Sequence, residues 1–125
     1  MKRLSVKQVK KLHEELLRET GGSDGLRDES LLESALNSPF ASFGGEYLYR
    51  SIELQAARLA FSLVKNHPFV DGNKRVGIMV MLIFLELNGI ALSVNDEQLI
   101  EVGLSLADGT MTDRQLAAWI LTHST

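Results

Sequence analysis

Apolar residues recur along this chain at the three- and four-residue spacing that is typical of amphipathic α-helices. The first such stretch begins at Ser5, where "SVKQ" forms a capping-box pattern, and its apolar residues are Val6, Val9, Leu12, Leu16 and Leu17. "TGGSDG" interrupts the pattern, and a second helix is predicted to start at Asp28 and to stop at Pro39. A third amphipathic stretch runs from about Tyr49 to Lys65.

The segment from Asn73 to about Leu87 is apolar around its whole circumference. Such a helix is buried on every side in a protein that folds in water, and Asn88-Gly89 is a typical C-cap for it. Two more helices are predicted after Asn95 and Thr112, which open the cap patterns "NDEQ" and "TDRQ". The pattern therefore predicts an all-α protein with about six helices around a buried central helix.

The stretch "NSPFASFGGEYL" is the one long irregular connection between these segments, and it is the best candidate for an extended segment or a short hairpin. The chain has 125 residues, which fits a single domain, 1–125. A chain of this length buries roughly two-thirds of its unfolded surface, which is enough for one hydrophobic core.

Composition narrows the classes of function. The net charge of −3 and the isoelectric point of about 5.6 give no basic field, so direct nucleic-acid binding is not expected. The absence of cysteine excludes disulfide and thiol chemistry and fits a reducing cytosol. The longest apolar run, Ile78 to Leu85, is far too short to cross a bilayer, and the N-terminus lacks the apolar region of a signal peptide. We therefore expect a cytoplasmic protein without a membrane anchor.

One polar stretch, "NHPFVDGNKRVG" (66–77), separates the two most apolar segments. An ordinary polar connection between helices is the alternative interpretation of this stretch. However, Lys74 and Arg75 fall in the first turn of the next helix, where the helix dipole disfavours cations by roughly 0.3 kcal/mol or more. That placement makes sense if an anion binds there through the free backbone N–H groups around Gly72, Asn73 and Lys74.

The side chains of this stretch suit phosphate chemistry. Gly72 lets a ligand approach the backbone closely, Asn73 can donate from its amide, and Arg75 offers a planar fork for phosphate oxygens. His67 can accept a proton near neutral pH, and Asp71 is a typical protein ligand for Mg²⁺. Neither a Walker pattern nor an H-E-x-x-H zinc site is present. His13 and His123 are not grouped with His67 in the sequence, so each is expected to be structural or solvated.

The segment "HPFVDGNKR" (67–75) resembles the signature of the Fic/Doc superfamily, specifically the death-on-curing (Doc) toxins, whose pattern is H-x-F-x-[DN]-[AG]-N-K-R. "GLRDESLLESAL", "PFASFGG" and "IFLELNG" are also similar to the surroundings of that motif, so the resemblance covers nearly the whole chain. Val76 departs from the threonine that many relatives have at this position.

The resemblance implies a compact α-helical enzyme that holds the phosphates of ATP at the motif. His67 would be the general base on a hydroxyl of a target protein, and Asp71 would hold Mg²⁺. The phosphates would be bound by Gly72, Asn73, Lys74 and Arg75.

Lys74 stands where typical Fic enzymes, which transfer AMP to protein hydroxyls, have a second glycine. The Doc branch carries this lysine and is understood to transfer the γ-phosphate of ATP to a threonine of elongation factor Tu. The resemblance also implies a cognate antitoxin protein as partner, and "SPFASFGG" sits where the family has a flap that aligns the target. The self-inhibitory pattern [ST]-x-x-x-E-[GN] does not occur in this chain. A toxin acting as a protein kinase is the leading hypothesis. An AMP transferase and a non-enzymatic anion-binding helical module are the alternatives.

Overall fold

The computed structural model describes residues 2–23 and 25–125. Within these residues the chain forms six α-helices, which confirms the predicted all-α class. The helices are α1 (Val6–Thr20), α2 (Glu29–Asn37), α3 (Ile52–Asn66), α4 (Asn73–Leu87), α5 (Asp96–Asp108) and α6 (Asp113–His123). A short 3-10 helix, Ser38–Phe40, follows α2.

Most of the predicted helix starts are confirmed by their caps. Ser5, Asn95 and Thr112 each form the predicted capping box with the glutamine three residues later, and the side chain of Asp28 accepts from the backbone N–H of Leu31. The third helix begins later than the expected position near Tyr49. Ser51 has extended backbone angles and its hydroxyl caps the N–H of Leu54, so α3 starts at Ile52.

Two helices form the centre of the molecule. The predicted buried helix, α4, is covered along most of its length, with Val80, Met81 and Phe84 fully buried. Its neighbour α3 packs against α4, α6 and α2, so it is equally central. Gly77 allows α3 and α4 to approach closely, because a Cβ added there would lie 3.1 Å from Cγ2 of Val64. This close packing brings the C-terminus of α3 beside the N-terminus of α4.

The irregular connection contains a small hairpin, as expected. Strand β1 (Ser42–Phe43) pairs antiparallel with β2 (Glu46–Tyr47), and Phe43 is opposite Glu46. Gly44 and Gly45 both have positive φ, 61° and 84°, which is the requirement of a tight two-residue hairpin turn. The side chain of Phe43 is 83% exposed at the tip.

Of the helices in the described residues, none combines the length and apolar character that crossing a bilayer requires.

Candidate phosphate-binding site

The C-terminus of α3 places His67 in an unusual backbone conformation. His67 is the C-cap residue and has φ 51° and ψ 54°, the only positive φ of a non-glycine residue in the described part of the chain. This left-handed conformation costs a non-glycine residue on the order of 1–3 kcal/mol and persists only where surrounding contacts impose it. It turns the chain sharply out of α3 and leaves His67 exposed.

Asn73 stabilises the turn between α3 and α4. Its Oδ1 accepts from the N–H of Phe69 and its Nδ2 donates to the carbonyl of Phe69, both at 3.0 Å. Phe69 is 1% exposed and stacks on the ring of His13 with centroids 3.8 Å apart, so it anchors the turn in the core. The side-chain amide of Asn73 is therefore bonded to Phe69 and, contrary to expectation, is not directed at a phosphate. Contact with a phosphate through the main-chain N–H of Asn73 stays a prediction.

The N-terminus of α4 has no side-chain cap within the described residues. Gly72 is the N-cap residue, with φ 80°, and Lys74 and Arg75 are exposed in the first turn. Uncapped N–H groups and cations together give this helix end a concentrated positive potential.

All six predicted site residues line one depression in the surface. It has a volume of about 150 Å³, and Val64 and Ala107 complete its lining. Small-molecule pockets usually measure about 300–1,000 Å³. This depression therefore has room for phosphate groups, while the rest of a nucleotide would lie outside it.

Asp71 is held as an ionised carboxylate. Its Oδ1 accepts from the N–H of Gly72 at 2.8 Å, and its Oδ2 lies 3.4 Å from the backbone nitrogen of Ser23. These hydrogen bonds, followed by the positive charges of Arg75 and Lys74, lower the pKa of the Asp71 carboxyl below its usual value. The group is consequently charged at neutral pH and able to bind a cation.

The single carboxylate of Asp71 fits a magnesium ion whose other ligands are not side chains of this protein. Residues 2–23 and 25–125 contain no cluster of three or more histidine, aspartate or glutamate side chains that could hold a metal. An ion at Asp71 would take its remaining ligands from phosphate oxygens and water. Mg²⁺ typically binds in this way, through one or two carboxylates and the substrate.

A segment that no sequence pattern predicted to lie at the site packs along the motif, and we call it the strap (residues 25–28). The N–H groups of Arg27 and Asp28 both donate to the carbonyl of Pro68, at 2.7 and 3.0 Å, and the N–H of Val70 donates to Gly25. These contacts use main-chain acceptors, which leave no signature in residue type. The one signal in "GLRD" is its similarity to the surroundings of the family motif.

His13 is structural, which is one of the two roles expected for it, but it is in direct contact with the motif. It is 2% exposed, and its Nε2 lies 2.6 Å from the carbonyl oxygen of Asp71. The spacing of Val9, His13 and Leu17 on one buried face was the signal that could have predicted its burial. His123 is structural as well, with its Nδ1 2.7 Å from the carbonyl of Trp119.

Comparisons with known proteins identify the family of this chain. Residues 3–85 match the Fic/DOC family, and the chain belongs to that family. The chain is also similar to Toxin Doc of Mycolicibacterium smegmatis, with 39% identity over 75 residues. That match covers 60% of this chain and 58% of the length of the relative.

Proposed function

We propose that this protein is the toxin of a toxin–antitoxin pair and acts as a protein kinase. It transfers the γ-phosphate of ATP to a hydroxyl, a threonine by analogy with the family, of a translation factor such as elongation factor Tu. One observation carries the proposal. An exposed histidine, an ionised carboxylate and two exposed cations line a single phosphate-sized depression, at a helix N-terminus that no side chain of the described residues caps.

The phosphates of ATP are bound by the start of α4. The main-chain N–H groups of Asn73, Lys74 and Arg75 point out of an uncapped helix end, where anions are favoured. Neither Lys74 nor Arg75 forms an ion pair among the described residues, so both charges are available to phosphate oxygens. Mg²⁺ held by Asp71 would offset the negative charge of those oxygens.

His67 acts as the general base. It takes the proton of the target hydroxyl while the hydroxyl oxygen forms a bond to the γ-phosphorus. The bond from that phosphorus to the oxygen that bridges the β- and γ-phosphates breaks, and its electron pair leaves with ADP. The products are the phosphorylated protein, ADP and a protonated His67, which returns its proton to solvent.

Lys74 favours γ-phosphate transfer over the alternative, AMP transfer. AMP-transferring relatives have glycine at this position, where the present chain adds both bulk and charge to the lining of the depression. The hairpin of β1 and β2 is the candidate flap for the target segment, and its exposed Phe43 and Tyr47 are available for contact. The similarity to Toxin Doc supports a cognate antitoxin as the partner.

A labelling experiment tests the reaction. The purified parent protein and the purified His67→Ala variant are each incubated with cell lysate and labelled ATP. The label is on either the γ- or the α-phosphate. We expect one dominant protein band with the γ-label, no band with the α-label, and no band with the variant. A band that appears only with the α-label would replace the kinase by an AMP transferase.

The variant Lys74→Gly tests why the γ-phosphate is chosen. Removing the bulk and the charge should abolish γ-phosphate transfer, because in-line geometry within about half an ångström decides such reactions. Intact-mass measurement of the target distinguishes added phosphate from added AMP. Phosphorylation at the parent rate would show that Lys74 is only a surface charge.

A further inference from the structure

The left-handed conformation of His67 requires contacts that impose it, and the strap supplies them. The carbonyls of Asn66, His67 and Pro68 are three successive acceptors at the end of α3, where the last carbonyls of a helix lack partners within the helix. All three accept hydrogen bonds from the strap, whose residue Leu26 also bridges to Phe69.

Arg27 makes two of these contacts with its side chain. Its Nε donates to the carbonyl of His67 at 2.7 Å, and its Nη2 donates to the carbonyl of Asn66 at 3.0 Å. The planar guanidinium can span two neighbouring acceptors in a fixed geometry. Its positive charge is also favourable at the negative end of the α3 dipole.

The position of this fork links it to the chemistry. The two carbonyls lie on either side of the φ and ψ angles of His67, so the fork restrains the peptide units on which the direction of the imidazole depends. The main-chain hydrogen bonds of the strap are made to Pro68 and Val70, so they restrain the chain only after His67.

We propose that Arg27 is a positioning residue, which holds His67 in its left-handed conformation and so directs the imidazole over the depression. This inference rests on the proposed function for its effect on catalysis. Its structural half concerns the backbone of His67 alone and can be tested without any activity.

The test compares Arg27→Gln and Arg27→Lys with two control variants. Arg18→Gln removes another exposed arginine, whose ion pair is with Glu14 on the same helix. Ile120→Val trims a fully buried side chain of α6 and lowers global stability away from the motif. For each variant we measure the three-bond coupling between the amide and α protons of His67, which reports its φ, together with kcat, KM for ATP and thermal stability.

We expect Arg27→Gln to change the coupling of His67 and to lower kcat about 10- to 100-fold, as for a misplaced catalytic group, with KM for ATP within about twofold. Arg27→Lys keeps the charge but loses the fork, so its kcat should lie between the parent and Arg27→Gln. Both controls should retain the parent coupling and kcat.

An unchanged coupling for His67 in both Arg27 variants would overturn the proposal, and so would an equal fall in kcat for Ile120→Val at matched stability. If Arg27→Gln does not fold, Arg27→Lys still provides the coupling. If the parent protein transfers nothing from ATP, the proposed function fails while the coupling of His67 still decides the inference.

Discussion

The N-termini of α4 and α5 solve the same structural problem in opposite ways. At α5, the side chain of Asn95 accepts from the N–H of Gln98 and the side chain of Gln98 accepts from the N–H of Asn95, both at 2.9 Å. Asp96 and Glu97 then add negative charge to the first turn, where the helix dipole favours it. At α4, a glycine occupies the N-cap position, no side chain of the described residues caps the helix, and the first turn carries cations and no acidic residue.

The start of α4 is less well stabilised than the start of α5. A side-chain N-cap contributes about 1 kcal/mol relative to alanine and a few tenths of a kcal/mol relative to glycine, and first-turn acids add roughly 0.3–1 kcal/mol. The start of α5 has both contributions, whereas the start of α4 has neither and carries unfavourable charges as well. An anion from outside the chain would supply the missing interactions at α4, which is why this junction is the candidate for phosphate binding.

The greatest loss of activity is expected for His67, the proposed general base beside α4. His67→Ala should lower kcat by a factor on the order of 10²–10⁴ and leave the affinity for ATP nearly unchanged, because a general base acts in the transition state. The control is His123→Ala, which alters a histidine that contacts Trp119 on α6. Equal losses in the two variants, measured by γ-phosphate transfer, would place the site elsewhere.

A cation at the start of α4 should matter for ATP, whereas a cation at a capped helix start should not. Arg75→Gln should weaken binding of Mg-ATP about tenfold, since a hydrogen bond to a charged group contributes about 1.5–3 kcal/mol. Arg114 is the matched control, because it lies in the first turn of α6, which Thr112 caps. Calorimetric titration of Arg75→Gln and Arg114→Gln with Mg-ATP measures both affinities. Equal weakening of the two affinities would show that only the net charge of the protein matters.

The geometry of Asp71 should depend on a glycine outside the motif. A Cβ at Gly22 would lie 2.7 Å from Oδ2 of Asp71, whereas a Cβ at Gly21 would meet nothing within 4 Å. Both glycines have positive φ, 117° and 75°, so alanine is strained at either position. We expect Gly22→Ala, but not Gly21→Ala, to raise the Mg²⁺ concentration required for activity several-fold, as for a displaced metal ligand. The same requirement in both variants would contradict this role of Asp71.

The smallest effects concern stability. Asn95→Ala should lower the free energy of unfolding by about 1 kcal/mol through the lost cap, without changing ATP affinity. Arg75→Gln should raise the free energy of unfolding by a few tenths of a kcal/mol, roughly 0.3, because it removes a cation from the positive end of α4. Urea denaturation without nucleotide measures both. A destabilising Arg75→Gln would show that this charge is placed for folding.

Much of the fold was predictable because its boundaries are set by local chemistry. Ser5, Asn95 and Thr112 each carry a capping partner three residues later, and the resulting helices begin where predicted. The start of α3 was predicted too early, near Tyr49, because the apolar pattern begins before Ser51. The helical backbone begins only at Ile52. The proximity of the candidate site residues followed from their contiguity in 67–75.

The contacts that shape the site were not predictable in this way. His13 and Arg27 reach the motif from 58 and 40 residues away and bind main-chain carbonyls of Asp71 and His67. A carbonyl is present at every residue, so nothing in the motif marks which ones are bound. The conformation of His67 likewise was not predictable, because positive φ is uncommon for non-glycine residues even though histidine adopts it more often than most.

We propose that the first turn of α4, unlike that of α5, binds the phosphates of ATP. A titration of the ¹⁵N-labelled protein with Mg-ATP, followed by the backbone amide resonances, tests it most directly. We predict large saturable shifts for Asn73, Lys74 and Arg75 and none for Asp96 and Glu97. Saturable shifts elsewhere with unchanged α4 amides, or no saturable shift at all, would contradict the claim.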